Sequence, residues 1–161
     1  MRDNTTFDST IDRENELWLL IRQANNLIYR ELEYELGQLG SATYSHASVL
    51  WVVKAIGEDA NPAEISRWLV RQQHAVSMLL DQMEKKGLLI KTKDLERKNW
   101  VRVTLTEKGE EALRQAQKSE TIYKMMSCLS PEEQDCLREH LLKLRGKALE
   151  LSGIKNEMAL P

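Results

Sequence analysis

The stretch from Asn61 to Thr106 restricts this chain more than any other. It opens Asn61-Pro62-Ala63-Glu64-Ile65-Ser66: a capping side chain, proline at the first helical position, and a carboxylate where a capping box reaches back. The helix it starts must be short, because no apolar period survives Val70-Arg71-Gln72-Gln73. A second segment carries Val76, Leu79, Leu80 and Met83 at spacings of three and four, which predicts that they face inward. Gly87 closes it, the residue that most readily takes a left-handed backbone past a helix end. Two apolar runs follow, Leu88-Leu89-Ile90 and Val101-Arg102-Val103-Thr104-Leu105, joined by a charged link from Lys91 to Asn99. Alternation in the second run predicts a strand, and the polar link predicts a hairpin tip. Short helix, tight turn, second helix and basic ribbon is the order of a winged helix-turn-helix, a module that reads DNA.

Charge is distributed to match. The chain has a formal net charge of -2, which looks wrong for a nucleic-acid binder until it is divided along the sequence. Residues 1–63 hold 5 basic against 10 acidic side chains, residues 64–108 hold 10 against 6, and residues 109–161 hold 8 against 9. The basic excess therefore falls on the winged segment, where phosphates would lie. A solvated basic face on an acidic body is the rival reading, and it leaves room for a winged-helix adaptor that binds protein instead of DNA.

Other classes find little support. No apolar run approaches the roughly 20 residues that span a bilayer, and the polar start from Met1 to Thr10 predicts no secretory signal. Two cysteines without such a signal predict a reducing interior, hence a cytoplasmic protein. There is no Gly-rich phosphate loop, no GxSxG, no HExxH and no CxxC pair, so neither an enzyme nor a cofactor is expected.

The flanks are helical. Leu17, Leu20, Ile21, Ala24, Leu27, Ile28 and Leu32 predict a long helix from Ile11 to about Leu36, after a frayed start. Thr43 is placed to cap a second helix, ended by Gly57. Thr106-Glu107-Lys108-Gly109 opens a helix expected to run on toward Met125, and Ser130-Pro131-Glu132-Glu133 launches a last one. A core of about 70 residues cannot cover the apolar faces of such helices. The expected fold class is therefore mainly α with a small β-wing: a flexible N-terminus at 1–10, a helical dimerisation region at 11–42 and 107–155, and a winged helix-turn-helix at 43–106. The two chain ends are expected to pack against a second copy.

The run Ser77-Met78-Leu79-Leu80-Asp81-Gln82-Met83-Glu84-Lys85-Lys86-Gly87-Leu88-Leu89, with Val101-Arg102-Val103-Thr104-Leu105-Thr106-Glu107-Lys108-Gly109, resembles the MarR family of transcriptional regulators. The resemblance spans about Ile11 to Leu151. It implies a homodimer on a pseudo-palindromic DNA operator, with a small-molecule or redox signal weakening that binding. Family wings commonly end in an Asp-Arg-Arg-like tip; the corresponding positions here are Arg97, Lys98 and Asn99. The bracing acid is replaced by a base, so Arg97 or Lys98 is the candidate for a minor-groove cation.

Candidates for the recognition surface are Arg71, Gln72, Gln73, His74, Ser77 and Met78, since Gln pairs with adenine and Arg with guanine or phosphate. Arg67, Lys91, Lys93 and Arg102 are better placed for phosphate. The resemblance also implies an effector cavity between the outer helices and the winged core, for which Tyr29, His46, Trp51 and Trp68 are candidates; their other reading is core. Cys136 and His140, four apart with Glu132 a turn earlier, share a face, and Cys128 is the one further soft ligand nearby. A redox or metal sensor built on Cys128, Cys136 and His140 is an alternative, against structural thiols and no metal.

Overall fold

Local start and stop signals decide where the helices lie. The computed structural model describes residues 9–38, 43–93 and 100–153. In it α1 spans Ser9–Gln38, α2 Tyr44–Ile56, α3 Pro62–Trp68, α4 Gln73–Lys85, α5 Glu107–Gln117, α6 Thr121–Met126 and α7 Pro131–Leu151, with strands β1 Leu89–Lys93 and β2 Val101–Leu105. The fold is mainly helical with a two-stranded wing on a winged helix-turn-helix core.

Asn61 caps α3 as its sequence predicts, its Oδ1 accepting from the backbone of Ala63 and Glu64, each at 3.0 Å. Glu64 does not reach back to the cap; it pairs with Arg67 at 2.9 Å. Thr43 caps α2 through a capping box whose third member is His46, and Ser130 caps α7 through one completed by Glu133. Past α4, Gly87 has φ 70°, and Leu88 N–H bonds to Met83 carbonyl at 3.0 Å, which turns the chain sharply into β1.

The wing differs in extent from expectation. β1 takes in Lys91, Thr92 and Lys93, assigned above to the polar link, and pairs antiparallel with β2 from Leu89↔Leu105 to Lys93↔Val101. Its burial alternates only near the base, so the charged residues ride on the ladder's outer part. Val103 N–H also bonds to Ala60 carbonyl at 2.8 Å, tying the ribbon to the connection before α3. Trp100, expected at the ribbon base, is half-buried in a depression shared with Ile56 and Trp68.

The core is continuous through this module: Val49, Leu50, Val53, Ile65, Val76, Leu80, Met83, Leu89 and Val103 are essentially inaccessible. Gly109 on α5 lies so close beneath the Leu88 carbonyl that a Cβ there would collide with it. Thr106 seals the same corner, its hydroxyl donating to Gly87 carbonyl at 2.6 Å and accepting from Gly109 N–H at 3.0 Å.

The expected single helix beyond Thr106 is broken. α5 stops at Gln117 and α6 starts at Thr121, because Glu35 of α1 accepts from the Ser119 hydroxyl and from the backbone N–H groups of Glu120 (3.0 Å) and Thr121 (3.3 Å). These bonds, the Ser119 hydroxyl foremost and the Thr121 side chain next, hold the Glu35 carboxyl down at about 2, with desolvation opposing them. The outer helices are bare by contrast. Leu17, Trp18, Leu20 and Ile21 of α1 and Leu137, Leu141, Leu144 and Leu151 of α7 are all exposed, and within α7 only Leu149 is buried.

Candidate nucleic-acid interface and effector cavity

The apolar stripe of α4 decides which of its side chains face solvent. Val76, Leu80 and Met83 are buried and Leu79 is packed against the same core. Gln73 and His74 are exposed in the first turn, Met78 is exposed on the face away from this stripe and Ser77 is partly covered, while Arg71 and Gln72 stand exposed in the turn and at the cap. Five of the six proposed readers of the groove are thus exposed, and all six lie in the turn before α4 or in its first six residues. Exposed glutamine and arginine side chains there can reach base edges or phosphates.

The phosphate candidates divide. Arg67 is exposed beside Glu64, and Lys93 is exposed at the outer end of β1. Arg102 is half-buried, cross-strand from Thr92. Lys91 is ion-paired within the chain: its ammonium is bound by Asp81 and, at 3.1 Å, by Glu84, while its backbone N–H donates to Glu84 at 2.9 Å. Asp81 first and Glu84 second raise the Lys91 pKa, and Lys91 in turn lowers both carboxyls. A cation already neutralised by two carboxylates is poorly placed to neutralise phosphate. The pairs link β1 to α4. Arg97 and Lys98 lie outside the described residues.

Behind this surface lies a cavity of about 690 Å³. Leu32 and Leu36 of α1, Tyr44, Ser48 and Trp51 of α2, Leu113 and Ala116 of α5, and Ile122 and Tyr123 of α6 form part of its wall. Trp68 and Leu69, the end of α3 and the first residue of the turn into α4, complete the side toward the recognition helix. Its size falls in the ordinary range for small-molecule sites. Trp51 and Trp68 meet at 6.1 Å between ring centroids, tilted by 60°.

Two of the four expected cavity residues are elsewhere. Tyr29 stands outside the wall and supports it, edge-on to Tyr44 at 5.4 Å. His46 is buried at the start of α2, where its Nδ1 accepts from Thr43 N–H at 3.3 Å. Burial, then the charge of Lys86, lowers its pKa, with Glu33 opposing. It is a neutral capping group. The wall residues missed in the sequence come from five separate segments, and no local pattern announces that they converge.

The sulfur residues do not assemble a metal centre. Cys128 and Cys136 are exposed free thiols; Cys128 Sγ lies 3.1 Å from Met125 carbonyl, and Cys136 Sγ lies 3.5 Å from His140 Nδ1. Glu132 turns away to the Ser130 hydroxyl, at 2.8 Å. Among the described residues no group of three or more His, Cys, Asp or Glu side chains is placed to hold a metal ion.

Known proteins carry the same arrangement. A winged helix DNA-binding domain model matches residues 43–109. The ligand-free organohalide-sensing transcriptional regulator RdhR-CbdbA1625 is 31% identical, with a TM-score of 0.83, over 100% of this chain and 94% of its own. Its 2,4-dichlorophenol-bound form gives 30% identity and a TM-score of 0.82, over 100% and 98%. A MarR variant from E. coli complexed with operator DNA has the same fold at 22% identity and a TM-score of 0.75, over 85% of this chain and 99% of its own. No curated protein sequence matches it.

The chain belongs to the MarR family. It is a sequence-specific DNA-binding transcriptional regulator. No helix among the described residues is long and apolar enough to cross a membrane.

Proposed function

We propose that this MarR regulator is a homodimeric repressor that leaves a pseudo-palindromic operator when a small aromatic molecule fills the cavity. The observation that carries the reading is the cavity's position. Trp68 and Leu69 belong to its wall and lead directly into the turn before α4, so a ligand there presses on the element that orients the recognition helix. Such a ligand shifts DNA affinity only by as much as it favours one arrangement of that turn over another. The similar regulator bound to 2,4-dichlorophenol supports a phenolic ligand.

Support for the dimer comes from the bare apolar residues of α1 and α7, which a second copy would cover. Two-fold pairing would set two copies of α4 about one DNA turn apart, roughly 34–36 Å. On this reading Arg71, Gln72, Gln73, His74, Ser77 and Met78 face the major groove, Arg67, Lys93 and Arg102 meet phosphates, and Arg97 or Lys98 enters the minor groove. The division of labour is 43–106 for DNA and 11–42 with 107–155 for pairing. The work is done in the cytoplasm.

Fluorescence-anisotropy titration against DNA from upstream of its own gene, at two salt concentrations and beside a random duplex, tests this. Tight binding to the upstream fragment at two chains per duplex, weakening steeply with salt and released by 2,4-dichlorophenol, is expected. Equal weak binding to both duplexes, or operator binding by a single chain, contradicts it.

A further inference from the structure

The cavity wall specifies the charge of what it admits. None of its lining residues is Lys, Arg, His, Asp or Glu; the polar side chains are those of Tyr44, Ser48, Gln117, Ser119 and Tyr123, with the indole N–H groups of Trp51 and Trp68. Residues 39–42, which join α1 to α2, carry no charge in the sequence either. The charged groups on the wall's own elements include Glu33 and Glu35 on α1, Lys118 between Gln117 and Ser119, and Lys124 on α6, paired with Glu120 at 2.7 Å; none of them lines the cavity. Glu33 of α1 accepts from Tyr44 N–H at 3.0 Å, and Glu35 of α1 accepts from the Ser119 hydroxyl and the two N–H groups that follow it. Both carboxylates are therefore fastened to residues of the wall itself. His46 of α2, capped and buried, has its pKa lowered and stays uncharged at neutral pH. The α3 side contributes Trp68 and Leu69, and the α5 and α6 sides contribute Leu113, Ala116 and Ile122, all without charge.

An anion entering this space would lose its hydration and meet no charged side chain in the wall, while the Glu33 and Glu35 carboxylates are hydrogen-bonded to wall residues. Uncompensated burial of a charge is the most costly transfer a site can impose. A planar uncharged ring meets the tilted Trp51 and Trp68 faces and leaves its single hydroxyl to Ser48, Gln117 or a tyrosine. We infer that the cavity takes its aromatic ligand in the uncharged form, as a phenol with its proton in place, and rejects aromatic carboxylates of the same size. This rests on the effector reading above and narrows it.

The test is isothermal titration of the full chain with 2,4-dichlorophenol and with 2,4-dichlorobenzoate, across a pH series spanning the phenol's own ionisation, with operator release followed in parallel. The phenol should bind one per chain, the benzoate on the order of 100-fold more weakly. Above the phenol's ionisation its affinity should fall about tenfold per pH unit, because only the protonated fraction binds. Benzoate binding as tightly as the phenol, or phenol affinity unchanged or rising with pH, overturns the inference while leaving the effector reading intact. Binding of neither, with operator binding retained, overturns the effector reading and this inference with it.

Discussion

Val70 stands at φ 50° in the turn between α3 and α4, the one non-glycine residue with positive φ among those described. A β-branched side chain in that region costs energy that glycine there does not. The turn is held by Arg71 N–H to Ser66 carbonyl at 3.0 Å and Val70 N–H to Arg67 carbonyl at 3.1 Å, the pattern that ordinarily places glycine after a helix. Val70 is also half exposed, so little packing opposes the change. Val70→Gly should stabilise the fold by roughly 1 kcal/mol, the relief of strain exceeding the added chain entropy of glycine, as read by urea denaturation. A destabilised variant would show that the valine side chain is held by packing in this turn. Gly109 is the opposite case: its lack of a Cβ is what lets α5 lie against the Leu88 carbonyl, so Gly109→Ala should cost about 1–3 kcal/mol in the same measurement.

At the scale of elements, the wing and the recognition helix behave as one piece because Lys91 joins them. Lys91→Ala and Lys93→Ala should therefore weaken operator binding in distinguishable ways. Loss of Lys93, if it meets a phosphate, flattens the dependence of affinity on salt by about 0.9 for each contact removed. Loss of Lys91 leaves that slope unchanged and loosens the ribbon instead, seen as faster amide exchange in β1 and β2. A reduced slope for Lys91→Ala would return it to the phosphate contacts. Sequence made the helix starts at Asn61-Pro62 and Ser130-Pro131 and the stop at Gly87 legible, because caps and glycines act within four residues. It hid the Lys91 pair, whose partners sit 7 and 10 residues back across a turn, and the α5–α6 break, which Glu35 imposes from 84 residues away. The apolar period does lapse over Gln117-Lys118-Ser119-Glu120-Thr121, but a polar stretch that short is also what a continuous helix shows on its solvent face. The capping role of His46 was hidden for a related reason: a histidine completing a capping box has no distinctive spacing apart from a histidine facing a cavity.

For the whole molecule, the outer helices leave a strip of leucines in water that a second copy would cover. Leu144 on α7 is 55% exposed, so Leu144→Glu removes little from the folded protomer. It should nevertheless shift sedimentation from dimer to monomer at micromolar concentration and lower operator affinity with it; a variant that stays dimeric would move the interface away from the middle of α7. The cavity wall, shared between outer helices and the approach to α4, has one further consequence. Binding at two coupled sites is reciprocal: whatever factor a ligand takes from operator affinity, bound operator takes from ligand affinity. A chain already seated on its promoter is thus the least sensitive detector of its own signal. Chains wandering free or on non-specific DNA capture the molecule first, and induction proceeds by preventing their return as much as by ejecting those in place.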